Sequence, residues 1–255
     1  MAQTGPSKKS LEGVERTVRI LHVLRDRSEA TLTEVARDAE LSEATVLRYL
    51  SSLSSFGYVE RIPGNRYRLG WEVFRLGQHA APGAVPRAEA LPIMEELLDR
   101  FNETVNLAYR KDDEVVIVEV LHGHRAIKRL TAVGQVDPWH ASAVGKALLS
   151  TMPPADQVAV LKRAGLPRFT PHTLVDIAAV QADIAATMKH GYTIDREEAE
   201  EDLTCLAAPV PASAGPSQFA LSVSFLSHRL KARNLDEVAQ AIVSAADELG
   251  KRLAI

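Results

Sequence analysis

A single cysteine, Cys205, stands in 255 residues. That excludes an intramolecular disulfide framework and any Cys-based zinc finger, and it suits a reducing compartment. The chain has no N-terminal apolar segment of signal-peptide type and no apolar run of about 18 residues. Neither a signal peptide nor a membrane span is expected, and the expected location is the cytoplasm. GxSxG, P-loop, GxGxxG and HExxH patterns are all missing, so no enzyme activity and no cofactor are expected. Internal repeats and low-complexity tracts are also absent. Charge of either sign is not in large excess: the net value is -3, which by itself does not announce a nucleic-acid binder. Residues 1–80 carry 12 Lys and Arg against 10 Asp and Glu, and the remainder 18 against 23, so the basic bias of the first part is mild. What remains is a normal globular composition, 46% hydrophobic and 25% charged, long enough for more than one domain.

The informative stretch is Thr31 to Gly70. Thr31 and Glu34 stand in the S/T-x-x-E relation of a capping box, which predicts a short helix from Leu32 burying Val35 and Ala36. It ends at Glu40-Leu41, and Ser42 is a suitable N-cap for a second helix through about Phe56. On that helix Val46, Leu50 and Leu53 form an inward stripe. Ser42, Ala44, Thr45, Leu47, Arg48, Ser51, Ser52 and Ser55 are left for the outer side. Small hydroxyls with one arginine can enter a major groove and bond to bases or phosphates. After Gly57 come strand-like runs at Tyr58–Ile62 and Arg66–Leu69, joined by a Pro63-Gly64-Asn65 turn. Arg61, Arg66 and Arg68 make that hairpin a cationic wing. The pattern reads as a winged helix-turn-helix binding double-stranded DNA; the alternative is a helical-hairpin subdomain with a solvated face.

In chain order, Met1–Ser10 with Lys8-Lys9 is a polar tail, either loose or a basic arm on DNA. Helix 1 is expected from Leu11 to Arg25, with Val14, Val18, Leu21 and Leu24 inward. Residues 71–81 form an amphipathic run whose bulky residues Trp71, Phe74 and Leu76 pack either on the first domain or across a dimer. Pro82-Gly83-Ala84-Val85-Pro86 breaks it. The expected division is therefore 1–70 DNA-binding, 71–86 linker helix and 87–255 effector-binding. Beyond Arg87 the patterns predict a helix at 88–101, strands at 105–110, 115–121 and 126–132, and helices at 142–150, 155–163 and 176–190. Strands at 192–195, 203–210 and 219–225 and a closing helix at 235–254 follow. This is an α+β domain with a largely antiparallel sheet.

Within it, the 142–150 helix offers a positive N-terminal end, an anion site unless Ser142 is no more than its N-cap. Cys205 in an apolar run is a small buried hydrophobe or, less often, a reactive thiol. Ser222 and Ser224 share one strand face and ask for partners, a ligand carboxylate among them. The Asp195–Asp202 acidic run reads as a mostly solvated loop without metal-site spacing.

Several segments resemble the IclR-type bacterial transcriptional regulators, from Leu11 to about Leu230. They are Ser10-Leu11-Glu12 with Val18–Leu24, the winged motif ending Tyr67-Arg68-Leu69-Gly70, and HASAVGKALL at 140–149. RFTP at 168–171, Gly191-Tyr192, CLAAPV at 205–210 and ALSVS at 220–224 complete them. The resemblance implies a GAF-like α/β effector-binding domain, dimers or dimers of dimers, and DNA affinity tuned by a small organic or aromatic acid, most often in a repressor of catabolic genes. It places the effector among Ser142, Ala143, Val144, Asp195, Cys205, Ser222 and Ser224, and Leu203 is expected to add an apolar residue to that pocket. Two positions depart from the family: Glu43, where a lysine is common, and Ala143-Val144, where sensors of very small acids have glycine-alanine. A non-specific DNA-binding or scaffold protein with a metabolite-binding domain is the alternative.

Overall fold

The computed structural model describes residues 11–80 and 86–253, so the expected basic arm at Lys8-Lys9 and most of the Pro82–Pro86 break lie outside the described residues. The chain divides into two compact units, Met1–Ala84 and Val85–Ile255.

The first unit runs α1 (Glu12–Arg27), β1 (Ala30–Thr31), α2 (Leu32–Asp38), α3 (Glu43–Ser55), β2 (Val59–Ile62), β3 (Arg66–Leu69) and α4 (Trp71–Ala80). The capping box is present: Thr31 Oγ1 accepts from Glu34 N, and Glu34 Oε2 accepts from Thr31 N at 2.8 Å. The Thr31 N–H and hydroxyl, both donating to Oε2, hold the Glu34 carboxyl below the usual range. Ser42 caps α3 by accepting from Thr45 N. Its stripe Val46 and Leu50 meets Val35, Ala36, Val59 and Tyr67 in one core.

Helix α1 differs from expectation. Its buried residues are Ile20, Val23 and Leu24, while Val14 and Val18 are 57% and 41% exposed. The helix outruns the small core, and only its C-terminal half supplies fully buried residues; ion pairs Arg16–Glu12 and Arg19–Glu15 line the other half. The wing hairpin turns through Gly64 and Asn65 at positive φ, which glycine adopts for want of a Cβ and asparagine tolerates. It gains a third strand, β1, antiparallel to β3 and too short to show as an alternation.

The second unit contains α5 (Arg87–Phe101), β4 (Thr104–Lys111), β5 (Glu114–Leu121), β6 (Val136–Asp137), α6 (Ala143–Ser150), α7 (Pro154–Ala164) and α8 (Ile177–Met188). It continues with β7 (Thr193–Arg196), β8 (Leu203–Pro209), β9 (Phe219–Leu226), α9 (Ser227–Lys231) and α10 (Leu235–Leu253). Six antiparallel strands run in the order β6-β5-β4-β9-β8-β7. The period of 2 sends Leu107, Leu221, Val223, Phe225 and Leu206 to one face, under α5 and α10. Ala108, Cys205, Ala207 and Ala220 go to the other, against α6 and α8.

The strand expected at 126–132 does not form. Ile127 and Leu130 are exposed there, and the backbone oxygens of Ile127 and Arg129 accept from Arg229 and Thr104 side chains instead of a ladder. The sheet edge is completed by β6, which pairs Asp137 with Val115. No described helix is long and apolar enough to cross a membrane.

Candidate functional site

Two groups of residues were singled out by the sequence, one in each unit. In the first, Ser42, Ala44, Leu47, Arg48, Ser51 and Ser52 are exposed along α3, and Thr45 is half-buried beside Ser42, their hydroxyls 2.9 Å apart. The Arg48 guanidinium lies 5.8 Å from the Tyr49 ring centroid, with no ion-pair partner among the described residues. Glu43, the departure from the family pattern, accepts from Thr33 Oγ1 at 2.7 Å and so ties α3 to α2. Its charge also suits a helix N-terminus.

The wing is less cationic than its composition. Arg66 is held against Glu29 at 3.2 Å and Arg68 against Glu60 at 2.9 Å. Arg61 bonds the neutral Asn65 side chain at 2.6 Å. Acidic residues on β2 and just before β1 reach these arginines because hairpin pairing sets Glu60 opposite Arg68.

In the second unit a cavity lies between the sheet and the N-terminus of α6. Strand register builds its floor. Asn106 is opposite Ser222, and Ser224 is opposite Cys205. Asn106 Nδ2 donates to both serine hydroxyls at 3.2 Å, and Cys205 Sγ donates to Ser224 Oγ at 3.2 Å. Ser142, Ala143 and Val144 form one wall, and Asp195, Ala199, Asp137, Arg129 and Thr131 the rest. Its free space is about 20 Å³, room for roughly one water. Leu203 does not line it; it is buried in the apolar cluster with Ala143, Val144 and Cys205, two residues along the strand from Cys205.

Ser142 is an N-cap, accepting from Gly145 N at 3.0 Å and donating to Pro138 O at 2.7 Å. The cap leaves the N–H groups of Ala143 and Val144 without an acceptor among the described residues, so capping and ligand donation are compatible. A Cβ on Gly145 would sit 2.6 Å from the carbonyl oxygens of Pro138 and Trp139, which is how α6 comes so close to the preceding loop. Burial pushes the Cys205 thiol up to about 12, an inert small group rather than a nucleophile.

The acidic run is not a solvated loop throughout. Asp195 and Glu198 are buried, and Lys146, fully buried on α6, bonds Glu198 Oε1 and Asp183 Oδ2, each at 2.7 Å. Glu198 N in turn donates to Asp195 Oδ1 at 2.7 Å. Burial raises the carboxyls of Glu198 and Asp137, and it pushes Asp195 up to about 7.

Asn106, Arg129, Thr131, Asp137, Lys146 and Glu198 were outside the sequence-derived set. Lys146 had a readable signal, a lone charge on the apolar helix AVGKALLS that demands carboxylates. Asn106 was a polar residue inside an apolar strand; Arg129 and Asp137 had no local signal. A larger groove of about 450 Å³ between α5 and α10 lies on the opposite face of the sheet, and its polar groups are surface ones such as the Arg100–Glu237 pair. Among the described residues no His, Cys, Asp and Glu cluster could hold a metal ion.

Asp195 gives a pH prediction. The unfolded carboxyl loses its proton near 3.8 and the folded one near 7, so the folded state holds more protons between those values. Its stabilising contribution is complete below about pH 4 and is lost as pH rises through about 7. Asp195→Asn keeps an oxygen for the Glu198 and Ala199 N–H groups. It should flatten this slope and stabilise the unit above pH 7 by at most about 4 kcal/mol, checked by urea melts from pH 4 to 8. A variant whose slope matches the wild type would show that Asp195 does not titrate in this range.

A winged helix-turn-helix followed by a separate α/β unit is the layout of a two-unit transcription regulator. Comparison makes the assignment specific. Residues 13–63 match the IclR helix-turn-helix domain, and residues 85–251 match the bacterial transcriptional regulator IclR C-terminal domain. The chain belongs to the IclR family of transcriptional regulators. It is 32% identical over 242 residues to the HTH-type transcriptional regulator BhcR of Paracoccus denitrificans, covering 94% of this chain and 86% of that one. It is 29% identical over 230 residues to the repressor AllR of Escherichia coli, covering 88% and 83%. Among solved structures, an IclR homolog from Microbacterium hydrocarbonoxydans complexed with 4-hydroxybenzoate superposes with a TM-score of 0.81 at 28% identity, over 94% of this chain and 98% of that one. The Thermotoga maritima IclR, at 21% identity and a TM-score of 0.79 over 96% and 100% of the two chains, shares the fold.

Proposed function

We propose that this regulator is a cytoplasmic repressor of a catabolic operon whose operator affinity is set by a small organic or aromatic acid in the second unit. The observation that carries the reading is the cavity: hydroxyls of Ser222 and Ser224 and the unpaired N–H groups of Ala143 and Val144 converge on one buried space. Each serine oxygen already accepts from Asn106, so its own proton is free to donate to a carboxylate. The relative crystallised with 4-hydroxybenzoate supports an acid of that kind. Ala143 and Val144 cover the apolar body, and Val144 narrows the space relative to the glycine-alanine sensors. A ligand changes DNA affinity only through its differential affinity for the two protein states.

On the DNA side, Arg48 reads a base, with Ser42, Ala44, Thr45, Leu47, Ser51 and Ser52 around it, and Arg61, Arg66 and Arg68 follow the backbone. One recognition helix spans too few bases for a selective operator, so two copies read an inverted repeat. Their contact uses the exposed apolar face of α4, where the Trp71 and Phe74 rings are 4.7 Å apart. Sedimentation at micromolar concentration should give a dimer or dimer of dimers; a monomer with full operator affinity contradicts the assembly.

Two arginine variants test the DNA reading. Arg48→Ala should cost about 1–3 kcal/mol on the operator and relax preference at one base position. Arg61→Ala should weaken binding to every duplex alike and lower the salt slope by about one. Arg61 is the better wing probe because Glu29 and Glu60 already hold Arg66 and Arg68. Equal, sequence-independent losses for both variants would reduce Arg48 to a phosphate contact.

A further inference from the structure

The cavity of the second unit is tight, with about 20 Å³ of free space, so a movable part of its wall is where a ligand gains room. Most of its lining cannot move. Asn106, Cys205, Ser222 and Ser224 are strand residues tied to one another, and Ala143 and Val144 are held in α6. Arg129 is different. Its side chain is long, it lies on a segment (122–135) with neither helix nor strand, and it is the one cation among the described lining residues.

The Arg129 backbone is pinned, its carbonyl accepting from Thr104 Oγ1 at 2.9 Å. The guanidinium is held lightly. Nε reaches Thr131 Oγ1 at 3.3 Å, Nη1 reaches Glu200 Oε2 at 2.9 Å, and Nη2 has no hydrogen-bond partner among the described residues. The Arg129 side chain is 15% exposed and that of Glu200 is 64% exposed. A pair whose carboxylate is this solvated is weak and exchangeable.

The same cavity holds acceptors that lack donors. Asn106 Oδ1 is buried without a partner, because the amide nitrogen takes both serines. Asp137 Oδ1 accepts from Gln135 and Asp195 Oδ1 from Glu198 N and Ala199 N, while the second oxygen of each has no donor among the described residues. An acceptor buried without a partner, as Asn106 Oδ1 is, is costly, and a ligand that supplies a donor removes that cost. A carboxylate entering this buried space needs a counter-charge, and Arg129 is the one cation among the described lining residues.

We propose that Arg129 is the specificity-determining residue of this cavity: it gives up Glu200 for the carboxylate of a small acid whose other polar groups are hydroxyl donors matched to Asn106, Asp137 and Asp195. The inference rests on the effector reading above and narrows it to hydroxy acids. Plain keto or fatty acids satisfy the guanidinium and leave the acceptors bare. Glu200 competes with the ligand for one guanidinium, so removing either member of the pair has opposite consequences.

The test is calorimetry on the full chain with glycolate, glycerate and 4-hydroxybenzoate, the neutral amide of each, and benzoate. The wild type should prefer at least one hydroxy acid over its amide by tenfold or more, and 4-hydroxybenzoate over benzoate. Arg129→Gln should erase the acid-over-amide preference, Arg129→Lys should keep part of it, and Glu200→Gln should bind the acid about threefold more tightly. Arg129→Gln with its preference intact overturns the proposal, as does a Glu200→Gln variant weakened like Arg129→Gln, which would mark the pair as structural. Should Arg129→Gln not fold, the Lys variant and the sign of the Glu200→Gln effect decide alone. If no acid binds the wild type, the effector reading falls with it; if acids bind but the Arg129 and Glu200 variants change nothing, only this inference falls.

Discussion

Lys146→Met should destabilise the second unit by about 3–5 kcal/mol, the usual result of removing one partner from a buried ion pair. The methionine fills the volume of the lysine stem but leaves two carboxylates, Glu198 and Asp183, without their cation. Glu198 is the worse placed. It is buried, and its Oε2 has no hydrogen-bond partner even in the wild type. Asp183 is partly rescued by Arg196 at 3.4 Å. Adding Glu198→Gln should recover part of the loss, since the unpaired charge disappears. The loss should also shrink at acid pH, because a carboxyl whose folded pKa is raised regains stability when protonated. Urea denaturation followed by the fluorescence of buried Trp139, in a Trp71→Phe background, reads the second unit. A loss under about 1 kcal/mol, or no recovery in the double variant, would show that the Lys146 network is incidental to stability.

The second large effect is on ligand binding. Ser222→Ala with Ser224→Ala removes the two free hydroxyl donors of the cavity floor and strands the Asn106 amide and the Cys205 thiol. Two charge-assisted hydrogen bonds at about 1.5–3 kcal/mol each are lost, so the effector should bind at least tenfold more weakly. Operator affinity without effector should stay unchanged, because both serines lie in the second unit and the recognition helix in the first. Acid binding by the wild type should weaken above about pH 7, where Asp195 becomes charged beside the ligand. A double variant that binds the identified acid as tightly as the wild type would put the ligand elsewhere.

The winged unit was largely legible in the sequence because its signals are local. A capping box, an N-cap and a 3.6-residue stripe each fall within one helix, and the hairpin announces itself by its turn residues. What was missed there depends on pairs distant in sequence: β1 exists only because Ala30 finds Tyr67, and Arg66 is neutralised by Glu29. In the second unit strand period placed Ser222 and Ser224 on one face, and the resemblance located Asp195 and Cys205. Asn106, Arg129 and Asp137 arrive from β4, an irregular segment and an edge strand; sheet register brings the first and last to the cavity, and the Thr104 bond to the Arg129 carbonyl brings the other. Buried Glu198 read as solvated because its cation, Lys146, is 52 residues earlier.

The central claim is that one acid-sensing unit tunes sequence-specific DNA binding. The most direct measurement starts by selecting genomic fragments on the purified full-length protein. The most enriched fragment and a random duplex of equal length are then titrated at one fixed salt concentration, with and without a saturating acid that binds the second unit. The account predicts a preference for the selected fragment of about 10³-fold or more, and a shift in that affinity of about 5–150-fold on adding the acid, with the random duplex little affected. Equal binding to both duplexes, unmoved by the acid, would contradict it and describe a non-specific DNA-binding protein instead.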